Sequence, residues 1–210
     1  MSEIDGAIAN ISANVDGFMT EDVLKACFSM LDLTSLKTND TEASIAALVE
    51  KVNAFPADYP GWPYPASVCV YPNFASTVRD TRKGDFHITV VSACFPSSQS
   101  FLDVKLLECA KAVENGADEV DIVLALNYFL AGDYEKASEE IRAVRKCIDE
   151  VAAKRGRNVH LKVILETGLL VSAENIANAS FLAMEAGADF IKTSTGKVEV
   201  NATPMAAFVM

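Results

Sequence analysis

The stretch ENGADEVDIV at 114–123 returns 71 residues later as EAGADFIKTS at 185–194. In both copies a helix-like run stops at a glycine, Gly116 or Gly187. A left-handed residue after a helix needs no Cβ there, and a strand-like run starts directly behind it. A chain that repeats this junction is built from equivalent βα units. The rest of the sequence keeps the same alternation. The strand-like runs are MLDLTSL, SVCVYP (67–72), FHITVVSACF, DEVDIVLAL, VHLKVILET and DFIKTST. Between them lie helical patterns: NDTEASIAALVEKVNAF (39–55), SFLDVKLLECAKAVENG, DYEKASEEIRAVRKCIDEVAAKRG and SAENIANASFLAMEAG. Most strands are continuous apolar, β-branched runs, the mark of a parallel sheet covered on both faces, with helices as crossovers. A doubly wound open sheet and a barrel share this alternation, and the internal repeat favours the barrel. The expectation is one α/β domain over residues 1–210, a (β/α)8 TIM barrel with six of its eight βα units in the chain. A weakly patterned, loose leader is expected over 1–18. A helix is expected over 20–31, with Thr20 as N-cap and Glu21 and Asp22 in its first turn.

Charged residues break the apolar strands in a regular way. The repeat sets Asp121 and Lys192 at equivalent places, Lys162 in HLKVIL has the same setting, and Asp32 in MLDL is a fourth. Side chains alternate along a strand, so apolar neighbours facing the helices would turn these charges toward the barrel axis. A buried charge is costly unless paired, and such groups are usually paired or functional. A poorly solvated lysine among other cations titrates low and offers a neutral amine near pH 7. That amine can add to a carbonyl and form an imine, an electron sink, while a nearby carboxylate moves protons. The bland alternative is a buried ion-pair network without chemistry. Behind Lys192, the run TSTGK offers hydroxyls from Thr193, Ser194 and Thr195, an open backbone at Gly196 and a cation at Lys197. It suits an anion contact at a strand end and equally an ordinary polar loop. Cys69 can point inward. His87 and His160 precede strands and have no acid–base partner by spacing. The acids of SEEIRAV and CIDEV sit at helical spacing with basic residues and read as a solvated face.

Composition narrows the function classes. A net charge of −11 argues against nucleic acid, although a local basic pocket can still take a small anion. Five cysteines with no C-x-x-C pair signal neither a disulfide framework nor a zinc site, and fit free thiols in a reducing cytoplasm. The acidic N-terminus does not read as a signal peptide, and no stretch reads as a membrane span. No G-x-S-x-G, G-x-G-x-x-G or Walker A loop occurs.

GADFIKTSTGK followed by VNATP, with GADEVDIV, LKVILETG, DLTSL and CVYP in order, resembles deoxyribose-phosphate aldolase, a class I Schiff-base aldolase family. The resemblance runs from about Met30 to the end. It implies a (β/α)8 barrel lyase of deoxynucleoside and carbohydrate catabolism. The reaction would cleave 2-deoxy-D-ribose 5-phosphate to D-glyceraldehyde 3-phosphate and acetaldehyde, with no metal or organic cofactor. By motif, Lys192 would form the imine, Asp121 would relay protons and Lys162 would sit beside them in the pocket as a third catalytic residue. Asp32, Thr34, Cys69 and Thr195 would line the substrate site, and Gly196 with Lys197 would lie toward the phosphate. A small phosphorylated deoxysugar is then the expected partner, without nucleic acid or membrane, and a homodimer is one expected assembly. The chain departs from the pattern in three respects. The second lysine strand, of the type GFKPAGG, and the glycine-rich phosphate loops do not occur before Met210, which reads as truncation. CFPSSQS also stands where the family has a glycine-containing turn. Two alternatives remain: another Schiff-base barrel enzyme, transaldolase-like, or a catalytically silent binding module.

Overall fold

The computed structural model describes residues 3–210. Six strands form one parallel sheet in sequence order: β1 (Asp32–Thr34), β2 (Ser67–Val70), β3 (His87–Val91), β4 (Glu119–Val123), β5 (His160–Ile164) and β6 (Phe190–Lys192). The helices are α1 (Glu3–Asn14), α2 (Glu21–Phe28), α3 (Glu42–Asp58), α4 (Ala75–Thr81), α5 (Leu102–Glu114), α6 (Leu126–Phe129), α7 (Tyr134–Ala153), α8 (Thr167–Leu170), α9 (Ala173–Glu185) and α10 (Pro204–Val209). No helix among the described residues is long and apolar enough to cross a membrane.

The alternation of side chains along the strands explains the layers. Val68, Val70, Ile88, Val90, Val120, Ile122, Leu161 and Val163 join one core with the inner faces of the helices. α7 contributes Ala137, Ile141, Val144, Ile148 and Ala152 to it, while its opposite face carries pairs such as Arg142–Glu135. The intervening residues, among them Asp32, Ser67, Cys69, Thr89, Glu119, Asp121, Lys162 and Lys192, turn to the other side. Lys162 on β5 reaches Asp32 on β1, so that side is the hollow of a curled sheet. β1 and β6 are the edges of this arc.

The repeated Gly-Ala-Asp has a physical purpose in each copy. Gly116 (φ +112°) and Gly187 (φ +104°) end α5 and α9 in a backbone conformation that disfavours a Cβ, and Arg79 and Arg145 pack over them. The aspartates that follow, Asp118 and Asp189, accept hydrogen bonds from Ile88 N (2.9 Å) and Leu161 N (2.7 Å) on the preceding strands. Arg82 and Arg157 hold Asp118, and Arg145 holds Asp189. Each junction thus sets the start of one strand and clamps its neighbour.

Two expectations need correction. Residues 3–18 are not loose: α1 is followed by a 3-10 turn at Val15–Phe18, although neither buries a residue. α1 lies against α10, so the ordering comes from packing on a distant element that local pattern does not reveal. The 71-residue echo is also not a shared register. Asp121 pairs with Lys162, whereas Lys192 pairs with Ile164, one rung further along on the same face. The helix at 20–31 is α2, with Thr20 accepting from Val23 N as N-cap. At the other end Thr203 caps α10, whose Pro204 needs no hydrogen-bonding N–H in the first turn.

Candidate active site

The charges on the hollow face form one network. Lys192 on β6 makes a short contact with Asp121 on β4 and lies 3.2 Å from Asp32 on β1. Lys162 on β5 sits beneath, 2.7 Å from Asp32, 2.5 Å from Glu119 and 3.6 Å from Asp121. Ser67 donates to Asp32 at 2.7 Å, and the Thr89 hydroxyl stands 2.8 Å from both Ser67 and Glu119. Two lysines are therefore enclosed by three carboxylates. Asp121 is fully buried, and its Oδ1 has no hydrogen-bond partner.

This arrangement fixes the charges. Burial pushes the Asp121 carboxyl above its ordinary value, and Lys192 and Lys162 pull it back only in part. Asp32 and Glu119 are also penalised by burial, but hydrogen bonds from Lys162 hold both below the usual carboxylate range. Burial alone would lower both lysines. The facing carboxylates, Asp121 foremost, outweigh it and hold both ammonium groups above their ordinary value. This corrects the expectation of a lysine depressed by neighbouring cations, because each ammonium faces carboxylates instead. Burial, with the charge of Asp121, pushes the Cys69 thiol up to about 12, so it is a neutral wall rather than a nucleophile.

A cavity of about 350 Å³ opens above the network at the C-terminal ends of the strands. Asp32, Thr34, Cys69, Asp121, Lys192, Ser194, Thr195 and Gly196 line it, with Phe95, Ile164 and Asn201. Lys162 lies below and does not reach the wall. Thr195 is committed: its hydroxyl lies 2.5 Å from Glu166 Oε2, and its N–H donates to Glu166 Oε1 at 3.1 Å. Glu166 itself adopts a left-handed backbone (φ +54°) directly behind β5. Gly196 is open, with φ +74° and nothing within 4 Å of where a Cβ would stand. Lys197 is not a free cation, since its ammonium donates to Leu36 O at 2.6 Å, tying the segment after β6 to the segment after β1.

Several residues of the network escape a sequence reading. Glu119 lies two positions before Asp121, and this spacing on a strand was the one available signal for it. Thr89, Ser67 and Glu166 gave none, because their partners are on other strands. His87 also has a partner after all: its Nδ1 is 2.6 Å from Glu119 Oε1 on the adjacent strand, a pairing that sequence spacing does not show.

A parallel α/β arc that gathers lysines and carboxylates below a cavity at its strand ends has the layout of a curled half-barrel of the α/β class. The sequence places it further. The family model described as DeoC/LacD family aldolase matches residues 27–210, and the chain belongs to that family. A Caenorhabditis elegans protein named "Putative deoxyribose-phosphate aldolase" is 36% identical over 212 residues, covering 99% of this chain and 67% of that protein. A crystal structure from Coccidioides immitis, of a protein given the same name, superposes with a TM-score of 0.74 at 28% identity, over 99% of this chain and 77% of that one. The tetrameric deoxyribose phosphate aldolase of Aeropyrum pernix gives a TM-score of 0.69 at 25% identity, over 88% of this chain and 71% of that one.

Proposed function

We propose that the protein is a class I aldolase that reversibly cleaves 2-deoxy-D-ribose 5-phosphate to D-glyceraldehyde 3-phosphate and acetaldehyde. The observation that carries this reading is the contact of Lys192, on the cavity wall, with the fully buried Asp121. Asp121 is the carboxylate in contact with the ammonium and therefore the group placed to take its proton, a transfer uphill from the resting ion pair in which the carboxylates hold the ammonium high. Transfer of that proton leaves a neutral amine facing the cavity.

The amine nitrogen adds to the aldehyde carbon of the open-chain sugar. Asp121 returns its proton to the carbinolamine oxygen, which leaves as water and gives the iminium. The iminium draws in the electron pair of the C2–C3 bond as the C3 hydroxyl proton passes to Asp121, directly or through a water. Glyceraldehyde 3-phosphate departs and an enamine remains. Asp121 protonates the enamine carbon, and water hydrolyses the imine to release acetaldehyde. The imine supplies the electron sink, so the scheme invokes no metal or organic cofactor.

Lys162 acts as a positioning residue that pins Asp32, Glu119 and Asp121. Asp32, Thr34 and Cys69 contact the sugar. Gly196 and Lys197 meet the phosphate, Lys197 giving up its bond to the Leu36 carbonyl, and Thr195 keeps that loop anchored on Glu166. We read the arc as six of the eight βα units of a (β/α)8 barrel, a reading the repeated βα junction supports. One observation favours a second reading, a binding module without turnover: Lys192 lies against Asp121 and 3.2 Å from Asp32, two carboxylates that both favour its ammonium form.

Borohydride reduction in the presence of 2-deoxyribose 5-phosphate tests the proposal. Peptide mass mapping should find a reduced adduct on Lys192. An adduct on another lysine overturns the role of Lys192, and no adduct on the folded chain overturns the imine and leaves the binding module.

A further inference from the structure

Three side chains that the proposed reaction leaves unused as donors to a ligand converge at the N-terminal ends of β3, β4 and β5. Glu119 pairs in register with Thr89 on one side and His160 on the other, and His87 lies two residues before Thr89 on the same face. His87 Nδ1 is 2.6 Å from Glu119 Oε1, and His160 Nδ1 is 3.9 Å from that same oxygen. One ligand atom of each residue lies within 4.8 Å of the others. His160 Nδ1 is buried yet has no hydrogen-bond partner. A buried ring nitrogen without a partner is unfavourable, and here it faces a carboxylate beyond hydrogen-bonding reach.

Around a tetrahedral ion bound at about 2.0–2.1 Å, ligand atoms stand about 3.3 Å apart. The distances of 2.6 and 3.9 Å lie on either side of that value, so a small rotation of the two rings equalises them. A cavity of about 450 Å³ adjoins all three side chains, bounded by Tyr64 and Phe190. It provides an entry path and room for a water as fourth ligand. Asp85 on its wall adds negative charge where a dication would enter.

We infer that His87, Glu119 and His160 form a binding site for a borderline transition-metal dication of the Zn²⁺ class. Two imidazole nitrogens and one carboxylate suit Zn²⁺, whereas Mg²⁺ and Ca²⁺ favour oxygen ligands throughout. The site uses Oε1 of Glu119, while Oε2 remains with Lys162. It lies at the opposite strand ends from the cavity that holds Lys192, so its occupancy is separable from the proposed reaction.

Calorimetric titration of the full chain with Zn²⁺, after alkylation of the accessible thiols, tests the assignment. One equivalent should bind with a dissociation constant on the order of micromolar or tighter, and Mg²⁺ should not compete. His87→Ala and His160→Ala should each weaken binding at least about tenfold. His87→Gln and His160→Gln, which retain a polar side chain, should weaken it likewise. Co²⁺ should give visible d–d bands without thiolate charge-transfer bands. Absence of saturable Zn²⁺ uptake, affinity unchanged in the four histidine variants, or cobalt spectra dominated by thiolate would each overturn the site. None of these results bears on whether Lys192 forms an imine.

Discussion

Lys192 and Asp121 carry opposite demands within one contact. Burial favours their neutral forms, yet the ammonium is held high by the carboxylates around it. Moving one proton between them removes both charges from the buried site at the cost of their ion pair, so on the proposed mechanism the substrate must draw the neutral amine out of that balance. Asp121→Asn keeps the shape of the side chain but cannot take that proton. Its kcat for 2-deoxyribose 5-phosphate cleavage should fall by about 10²–10⁴-fold, with a smaller change in KM, as steady-state kinetics would show. Asp32 and Glu119 make a separate prediction about stability. Their carboxyls are lowered in the folded state, so their contribution is present above the unfolded values of about 4 and is lost as pH falls through the folded ones. Lys162 is raised, so its share is complete below its unfolded value of about 10.4 and is lost as pH rises through the folded one. Asp121 opposes the acid loss, because its raised carboxyl protonates more readily in the folded chain. Urea midpoints should thus form a plateau across neutral pH with losses on both sides. Asp32→Asn should flatten the acid side, and an unchanged acid slope would contradict this account. The charges in apolar strands were legible because period 2 assigns each to a face. Glu119 as hub and His87 as its partner were not, since cross-strand contacts leave no trace in spacing.

The βα junction is the element that the sequence spells out most plainly. Glycine, alanine and aspartate recur because one residue must turn left-handed and another must clamp the neighbouring strand. Gly187→Ala should therefore destabilise the chain by about 1–2 kcal/mol, from a residue forced left-handed and a Cβ that would stand 3.1 Å from Arg145 Cγ. Asp189→Ala removes the acceptor for Leu161 N and should lower stability by about 1–3 kcal/mol. Urea unfolding followed by circular dichroism measures both. The inward face of each strand and the buried face of α7 follow from periodicity that one element carries alone. α1 does not: its apolar residues form no buried stripe, and its packing against the distant α10 leaves no local pattern to read. The register shift between Asp121 and Lys192 was equally hidden, because a repeat in sequence preserves the face of a strand but not its rung.

Across the whole molecule, each strand is paired only with its neighbours in sequence, from β1 to β6. β3 and β4 are flanked on both sides, whereas β1 and β6 have three residues each and one paired edge. Hydrogen exchange read by mass spectrometry should show amides of β3 and β4 as the best protected, with β1 and β6 exchanging first. Uniform protection across the sheet would reject this ordering. Asp32 and Lys192 sit on those two outer strands, and they meet only through side chains across the gap, as Lys197 meets the Leu36 carbonyl. A sample can then keep its full helical signal while its outer strands have already frayed and parted the pair. Circular dichroism would pass such a sample, and only a probe of the Asp32–Lys192 contact itself would mark the change.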